Sequence, residues 1–284
     1  MNRRVAWVTG AGGLVGNYLV GTAPEHARGW EVVGLTRSRF DLTDLAAVRA
    51  AFAADHPQLI LHCAAVSRST DCETDPPRAR LVNVEVTTCL AELAADIPFV
   101  FFSTDLVFDG RKGGYVETDA PNPLSLYAET KAAAEQVVLR NPRHTVVRTS
   151  LNGGLSPTGD RGFNEQTRAA WKAGRTLRLF TDEFRSPIAA RLTARAVWEL
   201  VAWGQPGLHH IAGRERLSRW QIGRILAERW PQLKPRFTAS SLRDYSGAPR
   251  PPDTSLDCAK AQNLLSFPLL GLAEWLKAHP EEVF

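Results

Sequence analysis

The chain has 284 residues, 44% of them hydrophobic, with 34 Lys and Arg against 30 Asp and Glu for a formal net charge of +4. That length buries a full core and excludes a mini-protein held by staples. The small positive excess is scattered instead of gathered in a basic block, so no nucleic-acid partner is expected, while phosphorylated small molecules remain compatible.

Residues 4–9 read as a short buried strand, followed by glycines and an apolar helical run over 14–20. A second strand at 31–36 precedes a helix at 45–54 that ends before Pro57. The alternation continues with a strand at 59–62, a helix over about 77–95, a strand at 98–103, a helix at 127–140 and a strand at 145–148. Such β-α alternation predicts a parallel sheet covered on both faces. Beyond residue 150 the pattern loosens: a Gly/Ser/Pro-rich segment at 152–162, a helix at 163–173, a strand at 177–180, amphipathic helices at 193–203 and 220–230, a Pro-rich loop at 246–254 and a final helical stretch. The expected organisation is an α/β Rossmann-type, doubly wound domain over 1–150, completed by about 177–212. A smaller substrate-binding portion is expected from 151–176 and 213–284.

No apolar run approaches the roughly 18 to 20 residues that cross a bilayer, so no membrane partner is expected. Cys63, Cys72, Cys89 and Cys258 form no Cys-x-x-Cys pair and no secretory signal pattern accompanies them, which makes a reducing cytoplasm the simplest setting.

Gly10, Gly13 and Gly16 fall between the first strand and the first helix, where a pyrophosphate needs close backbone approach and free helix N–H donors. The spacing is Gly-x-x-Gly-x-x-Gly, not the general dinucleotide fingerprint, and the alternative is a tight turn without ligand. Arg37 and Arg39 follow the second strand, which ends on no acidic residue. That favours NADP, with NAD as the alternative, unless these arginines are merely solvated. Asp41 is a candidate acceptor for an adenine amino group or a helix cap.

Tyr127 and Lys131 share one helix face one turn apart. A neighbouring ammonium is expected to lower the tyrosine pKa and ease proton exchange. Ser103, Thr104 and Asp105 end the preceding strand, where parallel sheets hold their ligands, and Thr104 is placed to hydrogen-bond a substrate carbonyl. Adjacent His209 and His210 point to opposite sides of a strand, so no metal site is expected.

Together these motifs resemble the extended short-chain dehydrogenase/reductase family, in its dTDP-4-dehydrorhamnose reductase-like branch. The resemblance is carried by the glycine turn, Asp41-Leu42-Thr43-Asp44, His62-Cys63-Ala64-Ala65, Asn83, residues 103–110, Tyr127 with Lys131, and Arg148-Thr149-Ser150. In the distal half it rests on residues 185–188, 207–213, Arg250-Pro251 and Ser255-Leu256. It implies a cofactor lined by Gly10, Gly13, Leu14, Val15, Arg37, Asp41, Leu42, Cys63, Ala64 and Ala65, with Tyr127 beside it and Lys131 on the nicotinamide ribose. It also implies catalysis by Thr104, Tyr127 and Lys131. Thr104, Asp105, Phe108, Asn152 and Arg185 are the substrate-side candidates. The implied activity is reduction of a nucleotide-linked 4-keto sugar by NAD(P)H.

Leu106 and Arg185 depart from the branch, which usually has an aromatic residue and a glycine there; residues 67–76 depart as well. The alternatives are a sugar-nucleotide epimerase, or a non-catalytic cofactor-binding subunit like that of methionine adenosyltransferase. A homodimer is compatible with the resemblance, although no interface is legible.

Overall fold

The computed structural model describes residues 4–282. Its first half contains β1 (Arg4–Thr9), α1 (Leu14–His26), β2 (Trp30–Leu35), α2 (Leu45–Asp55), β3 (Leu59–His62), α3 (Ser69–Thr74), α4 (Pro76–Arg80), α5 (Val86–Leu93), β4 (Phe99–Thr104), α6 (Leu126–Val138) and β5 (Thr145–Thr149). The second half adds β6 (Asn152–Gly153), α7 (Phe163–Lys172), β7 (Thr176–Phe180), β8 (Phe184–Arg185), β9 (Ile188–Ala189), α8 (Ala190–Ala202), β10 (Gly207–Ile211), β11 (Leu217–Ser218), α9 (Arg219–Arg229), β12 (Arg236–Ser240), α10 (Ala259–Gln262) and α11 (Leu272–Ala278).

Six strands form one parallel sheet in the order β10-β5-β4-β3-β1-β2. β3, β4 and β5 are buried along their whole length, as expected of central strands covered on both faces. Alternation along β1 divides the core. Ala6 and Val8 join the cluster containing Leu19 and Trp198 of α1 and α8, whereas Trp7 joins Val48, Leu90 and Val138 of α2, α5 and α6. Trp198 further donates its indole N–H to the Leu19 carbonyl at 3.1 Å, tying α8 to α1.

Three features differ from the expectation. The helix expected over 77–95 is divided: α4 starts at an Asp75 cap that accepts from Arg78 N, and a π-helical turn, Leu81–Glu85, joins α4 to α5. That wider turn carries the buried Asn83, whose amide is bonded to both backbone groups of Val66. Secondly, α3 forms from the polar stretch Ser-Thr-Asp-Cys-Glu-Thr, which shows little apolar periodicity. Thirdly, β7 leaves the main sheet and pairs with β12 as a separate parallel ribbon, so only β10 of the 177–212 region extends the main sheet.

Arg148 of β5 lies against Glu135 of α6 through Nη2–Oε2 at 2.7 Å and Nε–Oε1 at 3.0 Å, with both side chains 3% exposed. Its Nη1 donates to His210 Nε2 at 3.5 Å while His210 Nδ1 faces the carbonyls of Tyr115 and Asp257. Removing one member of such a pair strands a buried charge. Glu135→Ala is therefore expected to lower unfolding stability by about 3–5 kcal/mol, read from urea denaturation, whereas Glu135→Leu combined with Arg148→Met loses less. Equal or additive losses would contradict this account of the pair.

Candidate active site

The carboxyl ends of the sheet open into a cavity of ≈ 1390 Å³. It lies where the chain order reverses, because β1 is flanked by β2 on one side and β3 on the other, the usual ligand crevice of open α/β sheets. At its floor Gly10 has φ +66°, and a Cβ there would stand 2.7 Å from Ala64 N. A Cβ on Gly16 would stand 2.4 Å from the Gly10 carbonyl oxygen. These contacts press α1 against β1 and β3. α1 begins after Gly13, with no side-chain cap and no acidic residue in its first turn. Its leading residues Leu14, Val15 and Gly16 line the cavity, so their backbone donors and the helix dipole present a site for an anion.

Arg37, Asp41 and Leu42 line one end of this cavity, and Cys63, Ala64 and Ala65 line its floor. Arg39 is engaged with Asp55 at 2.7 Å, whereas Arg37 has no ion pair among the described residues. Asp41 Oδ1 accepts from Thr43 N at 2.9 Å. That bond, then the Thr43 hydroxyl and the charges of Arg37 and Arg78, hold its carboxyl below the usual range. Arg78 on α4 also lines this end. Sequence reading missed it because it stands about forty positions from Arg37 and belongs to no glycine or strand-end motif.

At the other end, Thr104 closes β4 and Tyr127 opens α6. The Thr104 hydroxyl donates to Asp105 Oδ1 at 3.2 Å and accepts from Leu106 N at 3.2 Å. Ser125 caps α6 by accepting from Ala128 N, and Glu73 accepts from Leu126 N at 3.0 Å. The helix start that aims Tyr127 is thus held from two sides. The expectation that Lys131 lowers the Tyr127 pKa is corrected by the surroundings: burial first, then the Asp105 charge, push the phenol well up, and a hydrogen bond with Thr104 offsets only part. Lys131 lies behind the cavity wall, 3% exposed, with Nζ 3.9 Å from the centre of the Phe101 ring. Burial lowers its own pKa to about 7, against Glu135 and Cys63, which raise it.

The substrate-side candidates divide. Thr104, Asp105, Asn152 and Arg185 line the cavity. Asn152 is already engaged, donating to Thr149 Oγ1 and the Ser150 carbonyl and accepting from Thr193 Oγ1. Asp105 Oδ2 accepts from Ser150 Oγ and Thr254 Oγ1, both at 2.8 Å, with Arg185 Nε at 3.8 Å. Phe108 is not at the site, and the expectation for it is corrected. The single 3-10 turn after β4, Asp105–Val107, carries it into a separate apolar cluster, where it stacks on Tyr115 at 4.0 Å between ring centres.

Arg185 points its guanidinium inward, at the carbonyls of Phe184 and Pro251 and at Glu183, 3.0 Å away. Glu183 is fully buried and also receives Arg219 at 3.0 Å and Arg250 at 2.8 Å. Burial raises its carboxyl pKa, yet the arginines together hold it down at about 2. Three guanidinium groups therefore face two carboxylates, Glu183 and Asp105, which leaves one positive charge in excess. Arg219 and Arg250 bring that excess to the cavity wall. Neither was singled out from the sequence as a site residue, because the carboxylate that gathers them stands more than thirty positions away from each.

Comparison with known proteins places this geometry. The family model of the RmlD substrate binding domain matches residues 4–282. The chain is 34% identical to a probable low-salt glycan biosynthesis reductase, Agl14, of Haloferax volcanii, over 78% of this chain and 79% of that protein. It is 32% identical to the dTDP-4-dehydrorhamnose reductase of Mycolicibacterium smegmatis, over 97% and 84%. Methionine adenosyltransferase 2 subunit beta of Xenopus laevis is 28% identical over 92% and 82%. Among solved structures, a hypothetical dTDP-4-dehydrorhamnose reductase from Sulfolobus tokodaii superposes with a TM-score of 0.84 at 30% identity, covering 95% of this chain and 97% of that one. The Bacillus anthracis reductase solved in complex with NADP shares the fold, with a TM-score of 0.88 at 22% identity and 98% of each chain covered. Matched along nearly its whole described length, the chain belongs to the RmlD family, within the extended short-chain dehydrogenase/reductases.

Proposed function

We propose that the protein is an NADPH-dependent reductase of a nucleotide-linked 4-keto sugar, of the dTDP-4-dehydrorhamnose reductase type. The observation that carries this reading is the series of groups along one cavity. An uncapped helix start lies at its floor, Thr104 stands at the end of β4 with Tyr127 in the first turn of α6, and the Arg219–Arg250 wall bears excess positive charge. Those groups fit, in turn, a cofactor pyrophosphate, a ketone, and the phosphates that link a sugar to its nucleoside. In this division the six-stranded sheet holds the cofactor, and the later loops with α7, α9 and the 246–254 segment hold the substrate. The four free thiols fit a reducing cytoplasm.

The residues present fit a dinucleotide: glycines where a Cβ would strike backbone, free helix donors, and Arg37 with Arg78 near the adenosine end. When bound, NADPH supplies the hydride. The chain supplies position and a proton. Thr104 exchanges its bond to Asp105 for one to the ketone oxygen, polarising the carbonyl. Tyr127, held as a neutral phenol by burial and by Asp105, gives its proton to that oxygen as the alcohol forms and recovers one from solvent. The raised pKa keeps the phenol protonated but makes it a weaker acid, so proton transfer relies on the ketone oxygen becoming strongly basic as the hydride arrives. The family resemblance assigns Lys131 to the nicotinamide ribose; its ammonium lies behind the cavity wall over Phe101, so that contact requires the side chain to turn toward the cavity.

The similarity to methionine adenosyltransferase 2 subunit beta supports a second reading, a cofactor-binding regulatory subunit. Thr104, Tyr127 and Lys131 together favour the reductase.

Tyr127→Phe is expected to lower turnover of the keto sugar about 10²- to 10⁴-fold and to leave NADPH affinity nearly unchanged, measured by NADPH oxidation and by fluorescence titration. Unaltered turnover would remove the proton-donor role. Arg37→Ala and Arg78→Ala are each expected to weaken NADPH by about tenfold or more while changing NADH little, since each removes a charge-assisted partner of a 2′-phosphate. Parallel loss for both cofactors would remove the preference for NADP.

A further inference from the structure

Beneath the cofactor floor, hydrogen bonds run in one direction between the two parts of the site. Ala64 N donates to Thr9 Oγ1 at 3.3 Å, and Thr9 Oγ1 lies 2.6 Å from His62 Nδ1. His62 Nε2 lies 3.0 Å from Thr87 Oγ1, whose own proton goes to the Asn83 carbonyl at 2.8 Å. Thr87 has no second proton to give, so it accepts from His62. The proton of the ring is therefore on Nε2. Nδ1 must accept, and the Thr9 hydroxyl must donate to it, leaving its lone pair for Ala64 N–H.

The line continues through Asn83. Its amide accepts from Val66 N at 2.9 Å and donates to the Val66 carbonyl at 3.1 Å and to Thr130 Oγ1 at 3.0 Å. Thr130 then donates to the Tyr127 carbonyl at 2.8 Å. One end thus holds Ala64, in contact with Gly10 of the glycine turn. The other holds the backbone of the proposed proton donor. The ring of His62 is 1% exposed and packs beside Phe99 and Phe101, and burial lowers its pKa to about 3, with the charge of Lys131 adding to the effect. The π-helical turn is what brings Asn83 inward to join the two halves.

We propose that His62, as the neutral Nε2–H tautomer, is a positioning residue that sets the distance between the cofactor floor and Tyr127 by fixing the direction of this hydrogen-bonded line. The inference rests on the reductase reading for its kinetic consequence. His62 itself lies outside the cavity lining and touches neither substrate nor cofactor. An Nδ1–H ring would set two acceptors face to face at Thr87, where the line would break, and an imidazolium would turn a second donor on the Thr9 hydroxyl and reverse the bond there.

The test uses isosteric breaks on both sides of the His62 ring, Thr9→Val and Thr87→Val, each paired with its serine counterpart, which keeps the hydroxyl. Each valine variant is expected to lose about tenfold or more in kcat on the keto sugar, with NADPH affinity also weakened for Thr9→Val. Thr9→Ser and Thr87→Ser are expected to recover kcat to within about twofold of the parent, because serine makes the same two bonds. Valine variants that melt lower but keep kcat and NADPH affinity when assayed well below their midpoints would overturn the proposal, as would serine variants no better than valine. Should the valine variants not fold, nitrogen-15 spectra of the intact NADPH-bound protein decide, with the His62 signal identified by its loss in His62→Asn. An Nε2–H neutral ring is the expected result, and an Nδ1–H ring or an imidazolium near neutral pH would refute it. If the parent turns over no keto sugar, the reductase reading fails on its own, and NADPH affinity with the tautomer still judges the inference.

Discussion

At position 10 the backbone leaves no room for a side chain, and most of the site follows from that closeness. With Gly10 lying against the backbone of Cys63 and Ala64, and Gly16 against Gly10, the first helix begins directly over the gap between β1 and β3. Its free N–H groups then point into the only part of an open parallel sheet where the flanking helices diverge. A bulkier residue would lift α1 from the sheet and separate the anion-binding donors from the strand ends that carry Thr104. The closeness of the helix start to the cavity floor presupposes this contact.

Much of the scaffold was legible because its signals are local. Residues 4–9 and 59–62 form the expected strands, and the helices beginning at Leu45 and Phe163 start where their composition places them. Gly10, Gly13, Leu14, Val15, Arg37, Asp41, Leu42, Cys63, Ala64 and Ala65, expected on the cofactor side, all line the same cavity, whereas Lys131 does not. What escaped was set by tertiary context. α3 has no apolar stripe to announce it, and the π-helical turn adds a residue for the benefit of Asn83 and its distant partners. Phe108 follows Thr104 in sequence but faces another cluster, because one short turn redirects the chain. Arg78, Arg219 and Arg250 reach the cavity from elements that local spacing does not relate to it. The Tyr127 pKa was misjudged for a similar reason: spacing locates Lys131 on the same helix face, but it does not give the depth at which burial outweighs an ammonium.

Besides the Arg148–Glu135 pair, buried charge gathers around Glu183 beside the cavity. Glu183 and Asp105 collect three arginines, and Arg185 takes the place where the branch usually carries glycine. Such an assembly gives little net stability after its desolvation cost, so its retention fits a role in shaping the site. It keeps Asp105 oriented behind Thr104, and it turns Arg219 and Arg250 toward the cavity with charge to spare. This arrangement favours an anionic ligand at the cavity wall.

The central claim is tested most directly by following NADPH oxidation by the purified protein on a panel of nucleotide-linked 4-keto sugars that includes dTDP-4-dehydrorhamnose. The account predicts stoichiometric NADPH consumption with formation of the corresponding hydroxy sugar for at least one member of the panel. Tight NADPH binding without oxidation on any of them would contradict it and would favour the regulatory reading.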